Sequence, residues 1–295
     1  MNRSSTRRVY LFVVLVLLGS LGLIVGTGIA QTETPTIHQI TIDGSINPAS
    51  ADFILSALER SEADGAAALL IELDTPGGLV ASTQDIVQGI LNAGIPTIVY
   101  VTPRGAWAAS AGTMITIAAN VAAMTPGSSI GAAHPVAITG GGGGQEGEDG
   151  SGGKDPSMEK AANLIASYVE SIAKHRNRNV EWAAEAVRNS VAVDAEEALK
   201  LNVIDFIANN RTELLAAIEG FEVEVDGQLQ TLELAGAKVV PIEMSLMQSI
   251  FNFLADPNVA VILMLAGLLG LYIEFNNPGL ILPGVTGAVC LVLTG

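Results

Sequence analysis

The sequence predicts an α/β domain of parallel strand–helix units, followed by the start of an α-helical membrane region. Two observations predict it. First, short continuous apolar runs such as Ala66–Leu73 and Thr97–Val101 alternate with helix-length amphipathic segments, the pattern of buried parallel strands and their crossover helices. Second, charge and hydropathy are segregated. The 295 residues carry a net charge of −16 yet a mean hydropathy of +0.45. Residues 1–30 contribute Arg3, Arg7 and Arg8 and no acid, and residues 257–295 contribute only Glu274, so 31–256 carry −18.

Taken in order, the N-terminal basic residues precede the apolar run Val9–Ile24 and the small residues Gly28, Ile29 and Ala30. This is the grammar of a signal peptide, or of an uncleaved anchor. Basic residues stay on the cytoplasmic side, so the chain from about residue 31 is expected to be extracytoplasmic. His38–Ile42 alternates and ends at Asp43-Gly44, a strand and its turn. Ala51–Leu58 reads as a short amphipathic helix, Ala66–Leu73 as a buried strand, Val80–Ala93 as a helix closed by Gly94, and Thr97–Val101 as a second buried strand. The small-residue segment Gly105–Ala119 follows, then a strand at Val121–Met124.

Residues 140–153 hold nine of the 32 glycines, and read either as a flexible lid or as a tolerated surface insertion. Asp155-Pro156 supplies a helix N-cap and first position for a helix running to about Lys174. Asn179–Arg188 is another helix, and Asp194-Ala195-Glu196-Glu197 opens a third. Asp226-Gly227, between alternating residues, marks a hairpin. The run Val259–Ile273 is a membrane span that Phe253 and Leu254 could lengthen, and the Pro-Gly pairs at 278–279 and 283–284 are expected to break any helix after it. Ala288–Leu293 begins a further apolar run, as in a chain that continues into more membrane helices. The resulting division is 1–30 signal or anchor, 31–250 soluble domain and 251–295 start of the membrane region.

Several classes are excluded. The acidic balance opposes nucleic-acid binding. Cys290, alone, allows neither a disulfide framework nor a cysteine zinc site, and His38, His134 and His175 lack metal-ligand spacing. No phosphate loop or dinucleotide fingerprint occurs.

Two small-residue segments can carry chemistry. Asp74-Thr75-Pro76-Gly77-Gly78 follows a buried strand, and its glycines let backbone N–H groups turn toward a cavity, as an oxyanion hole requires. In Ala108-Ala109-Ser110-Ala111-Gly112-Thr113 a serine opens an apolar helix, with room around its hydroxyl and a helix N-terminus to favour developing negative charge. Taken alone, the first segment reads as a strand-to-helix turn and the second as a close helix contact.

In sequence, the two segments resemble the Clp-class serine proteases, and most closely the membrane-bound NfeD-like branch. The stretches Ser128–Pro135 and Ala198–Asp205 match as well, as does the tail from Asp256-Pro257-Asn258 to Pro283-Gly284, so the resemblance covers 33–295. It implies a ClpP/crotonase-like fold of stacked ββα units and proteolysis outside the cytoplasmic membrane. It also implies, in longer members, further helices and a small β-barrel domain. Carried over by residue, Ser110 is the nucleophile, and the amides of Gly78 and Ala111 are the oxyanion donors. The branch resembles a Ser/Lys dyad, which points to Lys160 as base; His134 is the alternative, 24 residues after Ser110, and Lys154 a third. Helical periodicity puts Lys160 off the apolar stripe of Ala161, Ala162, Ile165, Val169 and Ile172, as for a solvated surface lysine. A lysine base must first lose its proton, which burial or a positive neighbour favours.

The resemblance further implies protein substrates with apolar stretches, stomatin-type membrane proteins as substrate or partner, a homo-oligomer of two or more subunits, and no cofactor or metal. Two other classes stay open: a silent scaffold that organises a membrane complex, and a crotonase-type acyl-CoA enzyme.

Overall fold

The apolar runs become the centre of one sheet. The computed structural model describes residues 34–135, 156–277 and 281–294. In it β1 (Thr36–Asp43), β2 (Ala68–Asp74), β3 (Thr97–Val101) and β5 (Val121–Met124) lie side by side. The short strands β8 (Phe206–Ile207) and β11 (Lys238–Pro241) complete it, in the order β11-β1-β2-β3-β5-β8, and every pairing is parallel. The N-terminal segment 1–30, the glycine-rich stretch 140–153, Lys154 and the cap Asp155 lie outside the described residues.

Because side chains alternate along a strand, the sheet feeds two cores. Ile40, Leu69, Ile71, Leu73, Val99 and Met124 enter the larger one. It is covered by α1 (Pro48–Ala63), α2 (Val80–Leu91), α3 (Ala111–Ala118), α4 (Pro156–His175) and α5 (Val180–Arg188). Ile37, Leu70, Ile98 and Tyr100 enter the smaller one. There they meet Leu214 of α7 (Arg211–Ala217) and Val223 and Val225 of β9 (Glu222–Val225), which pairs with β10 (Gln228–Thr231) around Asp226-Gly227. Each such fully buried aliphatic side chain contributes about 1.5–3 kcal/mol. The chain is thus a mixed α/β domain on a parallel sheet, followed by a C-terminal helical region, as the sequence led us to expect.

The caps explain the helix boundaries. Asn47 accepts from the N–H groups of Ala49 and Ser50 and starts α1 earlier than hydrophobic periodicity alone suggests. Asn179 caps α5, and Asp194 caps the short α6 (Ala195–Lys200) through the N–H of Glu197. α2 ends at Leu91, before Gly94.

A second, three-stranded sheet, which the sequence does not predict, begins inside the small-residue segment 105–119. β4 (Trp107–Ala109) pairs parallel with β6 (Ser129–Gly131), which pairs antiparallel with β7 (Ala192–Asp194). Its strands of three residues are too short to show a period in the sequence.

The apolar C-terminal stretch departs from expectation in two ways. Phe253 and Leu254 do not extend the span; they end a separate helix, α8 (Leu246–Leu254), and Asp256 caps α9 (Pro257–Asn276) through the N–H groups of Asn258 and Val259. Residues 258–276 of α9 are long and apolar enough to cross a membrane. Pro283-Gly284 breaks nothing: it lies in the first turn of α10 (Ile281–Thr294), where the proline's missing N–H would have had no helical partner. The other pair, Pro278-Gly279, is outside the described residues. α9 and α10 pack through glycines. A Cβ on Gly270 would fall 2.5 Å from the carbonyl oxygen of Pro283, and one on Gly287 2.6 Å from that of Gly267. This is the small-residue contact that lets apolar helices approach in lipid.

Candidate active site

Two backbone crossings build the site. Residues 77–79 run beside Ile46: Ile46 N–H donates to Gly77 O (2.8 Å), and Leu79 N–H donates to Ile46 O (2.9 Å). Alternate N–H groups of an extended segment point to opposite sides, so the N–H of Gly78 faces away from Ile46. It has no hydrogen-bond partner among the described residues. Gly78 cannot carry a side chain, since a Cβ there would lie 2.0 Å from Ile46 O. Thr75 fixes the turn before it. Its hydroxyl accepts from Gly77 N–H (3.0 Å), while its backbone joins β4 through Thr75 N–H to Trp107 O (2.7 Å) and Ala109 N–H to Thr75 O (3.1 Å).

β4 then delivers Ser110 to the N-terminus of α3. Ser110 has φ 51° and ψ −106°, a conformation ordinarily kept for glycine at the first corner of a type II′ turn. The strained backbone is held by Ser110 N–H donating to Gly131 O (3.0 Å) and by Thr113 N–H donating to Ser110 O (3.1 Å). The Thr113 hydroxyl in turn accepts from Gly131 N–H (3.1 Å). Gly77 packs on the serine, where a Cβ would approach Ser110 Cβ to 2.8 Å. The Ala111 amide, like that of Gly78, has no partner among the described residues. At the far end of α3, Arg178 donates to the carbonyls of Ile117 (2.8 Å) and Ala119 (2.9 Å), and Arg176 donates to that of Ala118 (2.7 Å). Cations at the C-terminus and a nucleophile at the N-terminus both suit the helix dipole. Burial, then the neighbouring Arg178 charge, lowers the Arg176 pKa to about 10.

Ser110, Gly78 and His134 line one cavity of about 570 Å³, with Leu79, Asn47 and Ala255 on its walls. His134 Nδ1 lies 2.9 Å from Val187 O. A carbonyl only accepts, so Nδ1 carries the proton and Nε2 is left as an acceptor. His134 also lines a second cavity, of about 510 Å³, with Met158, Glu159, Ala162 and Asn163 of α4 and with Arg188.

Lys160 stands apart. It is exposed in the second turn of α4, is absent from the lining of both cavities, and has no ion pair among the described residues. The structure therefore brings Ser110, with Ala111 next to it, together with Gly78 and His134, and leaves Lys160 outside that cavity, on α4, where Glu159 and Ala162 line the neighbouring one. His38 is elsewhere: buried in β1, its Nδ1 lies 3.0 Å from Ser61 Oγ, and Ser61 donates to Ala57 O. That serine–histidine contact is part of the core. Thr75, Gly131 and Val187 were invisible as site residues, because each acts through a carbonyl, a hydroxyl or a glycine conformation that only the fold defines. No group of three or more metal-binding side chains occurs among the described residues.

Comparison with known proteins adds the family. Residues 36–242 match the model of the NfeD1b N-terminal domain, and 258–295 match the NfeD integral membrane domain. The chain is 34% identical over 259 residues to a curated relative, the membrane-bound protease PH1510 of Pyrococcus horikoshii. It spans 57% of that relative's length and 87% of its own. Among solved structures it resembles a serine-to-alanine variant of the 1510-N membrane-bound stomatin-specific protease. The TM-score is 0.65 at 35% identity, covering 72% of this chain and 99% of that one. A lysine-to-alanine variant of the same protease, in complex with a substrate peptide, matches with TM-score 0.65 and 32% identity, covering 75% and 98%. With both domain models matched, and with a relative 34% identical over most of its length, this chain belongs to the NfeD family of membrane proteins.

Proposed function

We propose that the chain is a membrane-associated serine endopeptidase working through a Ser110/Lys160 dyad. The observation that carries the reading is the strained Ser110 at the α3 N-terminus, in one cavity with Gly78, whose amide is unpartnered. Ser110 Oγ attacks a peptide carbonyl, and its proton passes to the Lys160 amine. The Gly78 and Ala111 amides receive the oxyanion, and the proton moves on to the leaving amine. Water then hydrolyses the acyl-serine by the reverse path. No cofactor or metal enters these steps.

The lysine is supported by the solved relative that holds its substrate peptide as a lysine-to-alanine variant. It is also supported by the flanking residues Glu159 and Ala162, which line the cavity shared with His134. Substrates are apolar segments of membrane-linked proteins such as stomatin-type proteins. The stomatin specificity of that relative and the apolar wall around Leu79 support this. The basic residues Arg3, Arg7 and Arg8 support a domain on the extracytoplasmic side of the cytoplasmic membrane. Assembly as a dimer or larger homo-oligomer belongs to the same reading.

One observation favours a second reading, in which His134 is the base: it shares the Ser110 cavity and keeps Nε2 free. Its orienting partner is then the Val187 carbonyl in place of a carboxylate. A fluorophosphonate probe with a cleavage assay tests both. Wild-type chain in detergent is expected to be labelled at Ser110 and Ser110→Ala not, with Lys160→Ala losing cleavage and His134→Ala keeping most of it. Full activity in Lys160→Ala with loss in His134→Ala would overturn the dyad, and an unlabelled Ser110 in folded protein would make the chain a scaffold.

A further inference from the structure

α8 has an apolar face that no part of the described chain covers. Leu246, Met247, Ile250, Phe251 and Phe253 fall on one arc of the helix, and each is exposed, Leu246 to 79% and Phe253 to 62%. The opposite arc is polar and tied down. Gln248 Nε2 donates to Asp52 Oδ2 (2.9 Å), and Asn252 Oδ1 accepts from Asn47 Nδ2 (2.9 Å). A capping box between Ser245 and Gln248 fixes the first turn. The helix is therefore rigidly docked by its polar side and presents its hydrophobic side outward, which a water-facing helix does not do.

We infer that α8 lies in the headgroup region of the bilayer, apolar face down, and holds the Ser110 cavity at the lipid surface. The occupant follows from chain continuity: only Ala255 and Asp256 separate α8 from the apolar span of α9. A helix so close to the point of membrane entry has lipid as its nearest apolar medium. α8 carries no lysine or arginine, so apolar burial drives its insertion, and anionic lipid is not required. Asn47 links this surface to the site, because it bonds Asn252 on one side and lines the Ser110 cavity on the other; Ala255 lines that cavity too. Where the peptidase reading holds, the cleft meets substrate segments that emerge from the membrane; the placement of α8 itself does not depend on that reading.

Site-directed spin labels test it without any activity readout. The full chain, with Cys290→Ser, is reconstituted in phosphatidylcholine vesicles with a nitroxide at Met247→Cys or Ile250→Cys, and with Asp226→Cys in the exposed hairpin turn as reference. The labels at 247 and 250 are expected to show at least a several-fold higher ratio of oxygen to aqueous nickel accessibility than the label at 226. The ratio should be unchanged when anionic lipid or salt is added. Equal aqueous accessibility at all three positions would overturn the proposal. So would spin–spin broadening at 250 that persists on dilution into excess lipid, since a second copy would then cover the face.

Discussion

The N–H of Ser110 donates to the carbonyl of Gly131 at 3.0 Å, across the junction between β4 and β6, while Ser110 itself sits at φ 51°. The strain at the candidate nucleophile is thus held by the three-stranded sheet and by Thr113. Backbone strain of this kind costs about 1–3 kcal/mol at a non-glycine residue. Ser110→Gly should therefore raise stability by about 1 kcal/mol while removing the hydroxyl. A thermal melt beside Ser110→Ala, which keeps the strain, checks it. Equal melting temperatures for the two variants would show that the conformation is not strained.

Gly78 is predicted to tolerate no side chain. With Ile46 O 2.0 Å from the place of a Cβ, Gly78→Ala must push the 77–79 segment away from Ile46 and turn its amide. Fluorophosphonate labelling of Ser110 should fall by about 10²-fold or more, the size expected for loss of one oxyanion donor. Gly94→Ala, where the nearest atom is 3.7 Å away on a glutamate side chain, is the control and should be silent.

Arg178 is almost fully buried and binds Asp205 at 2.5 Å as well as the Ile117 and Ala119 carbonyls. Arg178→Met strands Asp205, which also accepts from Ala122 N–H, and uncaps α3. The expected cost is about 3–5 kcal/mol, read from denaturant unfolding of the detergent-solubilised chain. A cost similar to that of Arg188→Met, whose pair with Glu170 is exposed, would contradict this account.

Glu72 supplies a pH signature. Burial pushes its carboxyl above the ordinary value of 4.5, and Arg211 opposes the shift. The folded state therefore binds this proton more tightly than the unfolded chain does. The favourable term is complete below pH 4.5 and is lost as the pH rises through the higher folded value. In Glu72→Gln that loss is absent, so the variant's stability relative to wild type should increase on going from acid to neutral pH. Melting temperatures measured across this range test the sign.

Much of this was legible before the fold. The central strands, the helices over Val80–Leu91 and Pro156–His175, and the hairpin at Asp226-Gly227 follow from periodicity, caps and turn residues, because these are local signals. Ser110, Gly78 and Ala111 are named through the resemblance of two small-residue motifs to the Clp-class proteases, because each motif alone reads as a turn or a close helix contact. The unpartnered direction of the Gly78 amide could not be read this way, because it is set by Ile46, which approaches from another part of the sheet. Nor could the positive φ of Ser110, which depends on Gly131 O, or the proton position on His134, which depends on Val187 O. Sequence determined which residue types were available for chemistry and where the chain turns apolar. Tertiary structure decided which of them share a cavity, and it set Lys160 on an exposed helix turn and α8 with its apolar face outward, because contacts between distant segments leave no period in the sequence.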